Sequence, residues 1–202
     1  MTDMSPEQTE RMRQMFKKFN KFMLAMWRLG LGSWVNSWPE YGGRIFVVSH
    51  KGRTSGLQRR TPLNYAIIEG DVYCTAGFGS NADWYLNVKK NPNVEVWLSG
   101  GLFKTDAWWE GVAEEVPVDD PNWLSAMRTV LIGSGAVAPM MGIHPKTATD
   151  EELKAAVETY HLVRISRKAP LTGEGGPGEL AWVWPLAASV LALVLLVRPR
   201  RR

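Results

Sequence analysis

The sequence predicts a mainly β, α+β fold: a small antiparallel β-barrel with an amphipathic helix before it and a hydrophobic helix after it. Three observations predict it. Short β-rich runs recur between tight turns across residues 43–113. Apolar residues from Met12 to Trp27 recur at steps of three, four and one, the period of a helix. An uncharged run, Leu180 to Val197, lies between a Gly/Pro-rich segment and a basic tail.

Each element has its own signal. Ser5-Pro6-Glu7-Gln8 opens the first helix: Ser5 suits the cap, Pro6 the first helical position, and Gln8 completes the capping-box spacing. Gly43–Ser49 is a β-rich run ending at the tight loop Lys51–Gly56. A second strand runs from Arg59 to Ile68. Glu69-Gly70-Asp71 turns it into a third, Val72–Ala76. Gly77–Asn81 is a glycine-bearing loop. Ala82–Lys90 is a short helix stopped by Asn91-Pro92. Asn93–Leu98 alternates as a strand, and Gly100-Gly101 turns it into Leu102–Ala113. Helices follow from Asp120-Pro121 to Ile132 and from Thr149 to Thr159, with aperiodic Gly133–Pro145 between them. Tyr160–Ser166 is the last strand. Four segments result: a helix over 1–30, a barrel over 31–168, a flexible Gly/Pro linker over 169–179, and a C-terminal helix with its tail over 180–202.

Charge is unevenly placed along these segments. The 202 residues hold 24 Lys+Arg and 20 Asp+Glu. Residues 1–30 hold six basic and three acidic side chains, and residues 198–202 hold four Arg, which leaves the body at −3. A mildly acidic body argues against a nucleic-acid-binding core, and basic ends point to an anionic surface such as a membrane. The 18-residue run Leu180–Val197 is within the length of roughly 17–25 residues that spans a bilayer. Trp182 and Trp184 mark one edge and the arginines the other. Residues 12–28 read either as a helix packed on its own domain or as one lying in the lipid interface, and the two can coexist. The expectation is lipid contact through 12–28 and 180–202, at the cell membrane, with the domain on the cytoplasmic side. A lone cysteine, Cys74, excludes a disulfide scaffold and a cysteine-built zinc site.

The chemistry candidates lie in the body. Lys51, Arg53, Arg59 and Arg60 put four basic residues in ten, without an acid, around the loop Gly52-Arg53-Thr54-Ser55-Gly56. Turned backbone N–H groups and Ser/Thr hydroxyls there suit a phosphate or polycarboxylate, although a plain polar hairpin loop has the same composition. Pro62, inside a strand, marks an edge, a bulge or a place where a ligand lies on backbone. Trp84 and Asn87 share a helix face and offer a flat wall and an amide. His50, His144 and His161 lack ligand-pair spacing, so no metal site is expected. A GxSxG nucleophile motif is absent.

Taken in order, Gly52-Arg53-Thr54-Ser55-Gly56, Arg59-x-x-Pro62-Leu63-x-Tyr65, Asp83-Trp84-Tyr85-x-Asn87 and Asn91-Pro92-x-Val94-x-Val96 resemble the deazaflavin-dependent nitroreductase family. The resemblance covers roughly residues 40–115. It implies a split β-barrel related to FMN-binding oxidoreductases, and the reduced 8-hydroxy-5-deazaflavin coenzyme (coenzyme F-420) as cofactor. It implies that Arg53, Thr54, Ser55 and Arg59 hold the coenzyme's phosphate and glutamyl tail. Pro62 and Leu63 would pack on its ring, Ala76, Gly77, Phe78 and Gly79 would approach it through backbone, and Trp84 and Asn87 would complete the pocket. The family often has lysines where Thr54 and the Phe78–Gly79 loop stand, which leaves FMN open as an alternative. The implied reaction is hydride transfer to a lipophilic acceptor such as a quinone or nitro compound, with Tyr65 and Tyr85 as candidate proton donors. The rivals are an FMN-dependent reductase and a non-catalytic barrel that binds a cofactor or lipid. Fold analogy adds a homodimer as a partner to test.

Overall fold

The computed structural model describes residues 6–100 and 106–197. The Ser5 cap, Gly101 of the expected turn, the Leu102–Thr105 part of the expected fifth strand and the arginine tail of 198–202 lie outside the described residues. Helix α1 (Pro6–Arg28) leads into two single-turn helices, α2 (Gly32–Val35) and α3 (Pro39–Gly42), which the sequence did not signal. Strands β1 (Ile45–Lys51), β2 (Gln58–Ile68) and β3 (Asp71–Ala76) follow. A 3-10 turn, Gly79–Asn81, precedes α4 (Asp83–Lys90), then β4 (Asn93–Leu98) and β5 (Ala107–Glu115). Helices α5 (Trp123–Gly133), α6 (Val137–Met140) and α7 (Asp150–Ala156) precede β6 (His161–Pro170) and α8 (Val183–Val197).

The six strands close into one antiparallel barrel in the order β1-β2-β3-β6-β5-β4. The β2–β3 hairpin is a two-residue turn, and Glu69 and Gly70 both take positive φ (52° and 91°). That backbone is what a tight hairpin turn needs, and it sets the register Ile68↔Asp71. The barrel interior holds Phe46, Val48, Val72, Cys74, Val96 and Ile165. The outer face is covered twice. Trp123, Met127, Leu131 and Leu153 pack α5 and α7 on one side, and Trp27 of α1 packs on Val47 and Trp97 on the other. Double covering explains why β1 is buried at six successive positions and shows no alternation in sequence.

The C-terminal segments differ from expectation. Strand β6 runs on to Pro170, so residues 169 and 170 are sheet. The glycine-rich stretch behind it is pinned. Gly178 N–H donates to Trp27 O at 3.0 Å and Leu180 N–H to Arg28 O at 2.8 Å. Glu179 takes ion pairs from Arg28 and from Arg60, the latter at 3.1 Å. Because Leu180–Trp182 form turns docked on the end of α1, helix α8 keeps only 15 residues of the apolar run. At about 1.5 Å per residue it falls short of a hydrocarbon core of about 30 Å. No helix among the described residues is long and apolar enough to cross a membrane.

Candidate functional site

The loop between β1 and β2 is closed by Gly52 N–H donating to Leu57 O at 2.8 Å and Gly56 N–H to Gly52 O at 2.9 Å. Gly56 takes φ +68°, the left-handed turn conformation that favours glycine. The loop walls a cavity of about 910 Å³ with Arg53, Thr54, Ser55, Arg59, Asn87 and the buried His50. Arg53 is held from α4: its Nη1 donates to Asp83 Oδ1 at 3.0 Å and to Asn87 Oδ1 at 3.1 Å. Among the described residues, no ion pair engages Arg59. Its guanidinium is exposed at the cavity and is available to an anion.

A second cavity of about 300 Å³ joins the first, and Thr61, Asp83 and Trp84 line both. Its walls are mainly apolar, with Pro62, Leu63, Phe78, Leu131, Met141 and Ile143 among them. Helix α1 closes one side with Phe16, Phe19 and Asn20, and the Phe16 ring meets Phe78 edge-on at 5.7 Å. The joint space is basic at one end and apolar at the other, with the Trp84 indole between. A flat ring carrying a polyanionic tail fits this arrangement.

The sequence-predicted residues divide clearly. Arg53, Thr54, Ser55, Arg59 and Asn87 line the basic cavity, Pro62, Leu63, Gly77 and Phe78 the apolar one, and Trp84 both. Ala76 and Gly79 line neither. Ala76 is a barrel-core residue, and Gly79, at φ +57°, backs onto the Thr159 carbonyl so closely that a Cβ would stand 2.6 Å from it. Arg60, part of the predicted basic nest, also borders the basic cavity, but it pairs with Glu179 and lies over the Trp97 ring at 4.5 Å. Its charge is spent on the fold.

Neither tyrosine lines the cavities. Tyr65 packs in the barrel core against Phe46, ring centroids 5.5 Å apart. Tyr85 lies on the opposite side of α4, where its hydroxyl donates to Glu115 Oε2 at 2.6 Å and its ring stacks on His161 at 4.3 Å. Burial alone would raise the Glu115 carboxyl. The hydrogen bonds from Tyr85, His161 and Lys89 outweigh it and hold the carboxyl below its ordinary pKa. The tyrosine that does border the apolar cavity is Tyr160, just ahead of β6, and burial raises its hydroxyl pKa. Sequence reading missed it because it sits at a strand boundary with no motif around it. His50 and Thr61 were missed as well, since a single histidine and a single threonine carry no spacing signal.

A sequence model of the F420H(2)-dependent quinone reductase family matches residues 23–133, more than half of the chain. The chain belongs to this family. It is an oxidoreductase, and its cofactor is the reduced deazaflavin coenzyme that the family name specifies. No curated protein matches the chain. Solved structures with a similar barrel include the heme storage protein HutZ from Vibrio cholerae, 14% identical over 67% of this chain and 89% of that one, TM-score 0.45. A conserved hypothetical protein from Mycobacterium tuberculosis is 22% identical over 72% and 90%, TM-score 0.44. A FAD-binding protein from Mesorhizobium loti is 14% identical over 63% and 81%, TM-score 0.41.

Proposed function

We propose that the protein reduces a lipophilic acceptor, a quinone or a nitro compound, at the surface of the cell membrane, with its barrel on the cytoplasmic side. The observation that carries this reading is the joint cavity, basic at one end and apolar at the other, that shares Thr61, Asp83 and Trp84. When bound, the coenzyme supplies a hydride for a two-electron reduction. The protein's residues bind, orient and exclude water. Arg53 and Arg59 hold the anionic tail, with Thr54 and Ser55 adding hydroxyl donors. Pro62, Leu63 and Trp84 pack on the ring, and the Gly77–Phe78 backbone lies against it. Phe16, Leu131, Met141 and Ile143 leave an apolar space for the acceptor. Tyr160 borders this space and, like any tyrosine, is protonated at neutral pH, so in this reading it replaces Tyr65 and Tyr85 as the proton donor.

Association with the membrane surface is supported by two contiguous apolar elements. Helix α1 packs inward through Met23 and Trp27, yet Met15 and Phe22 are exposed beside Lys18 and Lys21, and Phe19, which borders the apolar cavity, is also part exposed. Helix α8 begins against the end of α1, where Trp184 Nε1 donates to Leu29 O at 2.9 Å. From there it exposes Leu186, Val190, Leu193 and Leu196. Exposed apolar stripes, with lysines beside the one on α1, suit an interfacial, surface-lying attachment. Fluorescence titration of the full chain with the coenzyme, followed by coenzyme oxidation with a menaquinone analogue or a nitroaromatic, tests the reaction. Absence of binding overturns it. Co-sedimentation with anionic phosphatidylglycerol vesicles tests the attachment, and solution mass tests the homodimer expected by fold analogy.

A further inference from the structure

His50 is 4% exposed, at the end of β1, and belongs to no pattern in the sequence. Its two ring nitrogens have different neighbours. Nδ1 faces Asn87 Nδ2 at 3.3 Å, and Nε2 faces Thr61 Oγ1 at 3.1 Å. The direction of these bonds follows from Arg53. Its backbone N–H and its Nη1 both donate to Asn87 Oδ1, at 3.0 and 3.1 Å. The Asn87 oxygen is therefore fixed toward Arg53 and its NH₂ toward His50. An NH₂ group can only donate, so His50 Nδ1 must be bare. The proton of the neutral ring then sits on Nε2 and donates to Thr61. Thr61 Oγ1 is thereby used as an acceptor, which turns its own hydrogen away from His50. Thr61 lines both cavities, at their junction.

We propose that Arg53, Asn87 and His50 form a one-way hydrogen-bond relay that fixes the Thr61 hydroxyl as a donor into the cavity junction. There it binds an acceptor oxygen or nitrogen of the bound molecule, between the anionic tail and the ring. Thr61 is then a binding residue, and His50 and Asn87 are positioning residues. The relay also couples the two ends of the site, because the arginine that meets the tail sets the polarity of the hydroxyl that meets the rest of the molecule. Burial and the nearby Arg59 cation lower the His50 pKa to about 4, so the ring is neutral at pH 7 and can take this tautomer. The inference rests on the coenzyme reading above.

Two measurements on the full chain test it. Long-range ¹⁵N–¹H NMR of histidine-labelled protein, with the His50 signals identified by their loss in His50→Gln, reads the tautomer without any ligand. Expected is a proton on Nε2 and a bare Nδ1 at pH 7. A proton on Nδ1 overturns the relay. Coenzyme titration then compares variants of unchanged melting temperature. Thr61→Val is expected to weaken binding about ten-fold, and Thr61→Ser to restore it. His50→Leu is expected to match Thr61→Val, and the double variant to be no worse than either alone. His50→Gln can donate to Thr61 while accepting from Asn87, so it is expected to retain binding. If Arg59→Ala weakens binding and Thr61→Val does not, the relay fails and the coenzyme reading stands. If the wild type binds no coenzyme, that reading fails, and the NMR tautomer alone decides the relay.

Discussion

Helix α4 carries a polar cluster on each of two sides, and they look alike on paper. Each joins a histidine to a side chain of the helix and to a hydroxyl. On one side Asn87 meets His50, which meets Thr61. On the other, Tyr85 and His161 share Glu115, and His161 Nε2 faces Ser80 Oγ at 3.0 Å. The second cluster has the more reactive residue types: a phenol, a carboxylate, an amine and a serine. Yet it borders neither joint cavity, and its bonds tie α4 to β5 and β6. The first has an amide, a neutral imidazole and a threonine, and it lines about 910 Å³ of basic space. Residue chemistry alone does not mark a site; the space into which the groups point does.

Substitutions on the two sides should separate accordingly. The largest effect is expected from Tyr160→Phe, which should lower turnover by roughly a hundred-fold or more if it is the proton donor, while Tyr85→Phe leaves turnover within about two-fold, as expected for a hydroxyl that only braces structure. Steady-state kinetics at saturating coenzyme compare the two. Next, Arg59→Ala should weaken coenzyme binding by about ten- to a hundred-fold, the worth of a charge-assisted hydrogen bond. Arg164→Ala, which removes an exposed pair with Glu114 on the barrel surface, should leave binding unchanged.

Acid should act on the His50 side. The folded-state pKa of His50, about 4, lies below its unfolded value of 6.5. The unfolded chain therefore takes up the proton first, and stability is lost as pH falls from about 6.5 to about 4, by up to about 3 kcal/mol. The charged groups around the ring are Arg53, Arg59, Arg60 and Asp83 on the cavity side and Lys51, Glu95, Glu110 and Lys168 behind. Urea melts of wild type and His50→Gln across this range test it, and the variant should lack that part of the acid loss. The smallest effect is expected from Tyr85→Phe on stability, about 1 kcal/mol or less.

Much of the fold was legible because local physics dictated it. The turn at Glu69-Gly70, the stop at Asn91-Pro92 and the alternation of β4 each carry a local cause. So does the cap of α7, where Thr149 and Glu152 exchange hydrogen bonds as a capping box. The ends of elements set by tertiary contact were not legible. Strand β1 is two residues further along than its composition suggests, because its pairing with β2 runs from Ile45↔Asn64 to Lys51↔Gln58. The glycines of 173–178 read as a flexible linker, but Glu179 gathers Arg28 and Arg60 and the backbone follows. The site shows the same division. Arg53, Arg59, Pro62, Leu63, Trp84 and Asn87 stood in ordered motifs, and the fold brings them together. His50, Thr61, Tyr160 and the α1 wall reach the cavity only through barrel closure, which no sequence spacing records.

The central claim is that the basic and apolar cavities together form one coenzyme site. Fluorescence titration of the full chain with the deazaflavin coenzyme, alongside Arg59→Ala at the basic end and Leu63→Ala at the apolar end, tests it most directly. Saturable binding by the wild type, weakened by both variants, is the expected result. No binding by the wild type, or binding that neither variant changes, would contradict it.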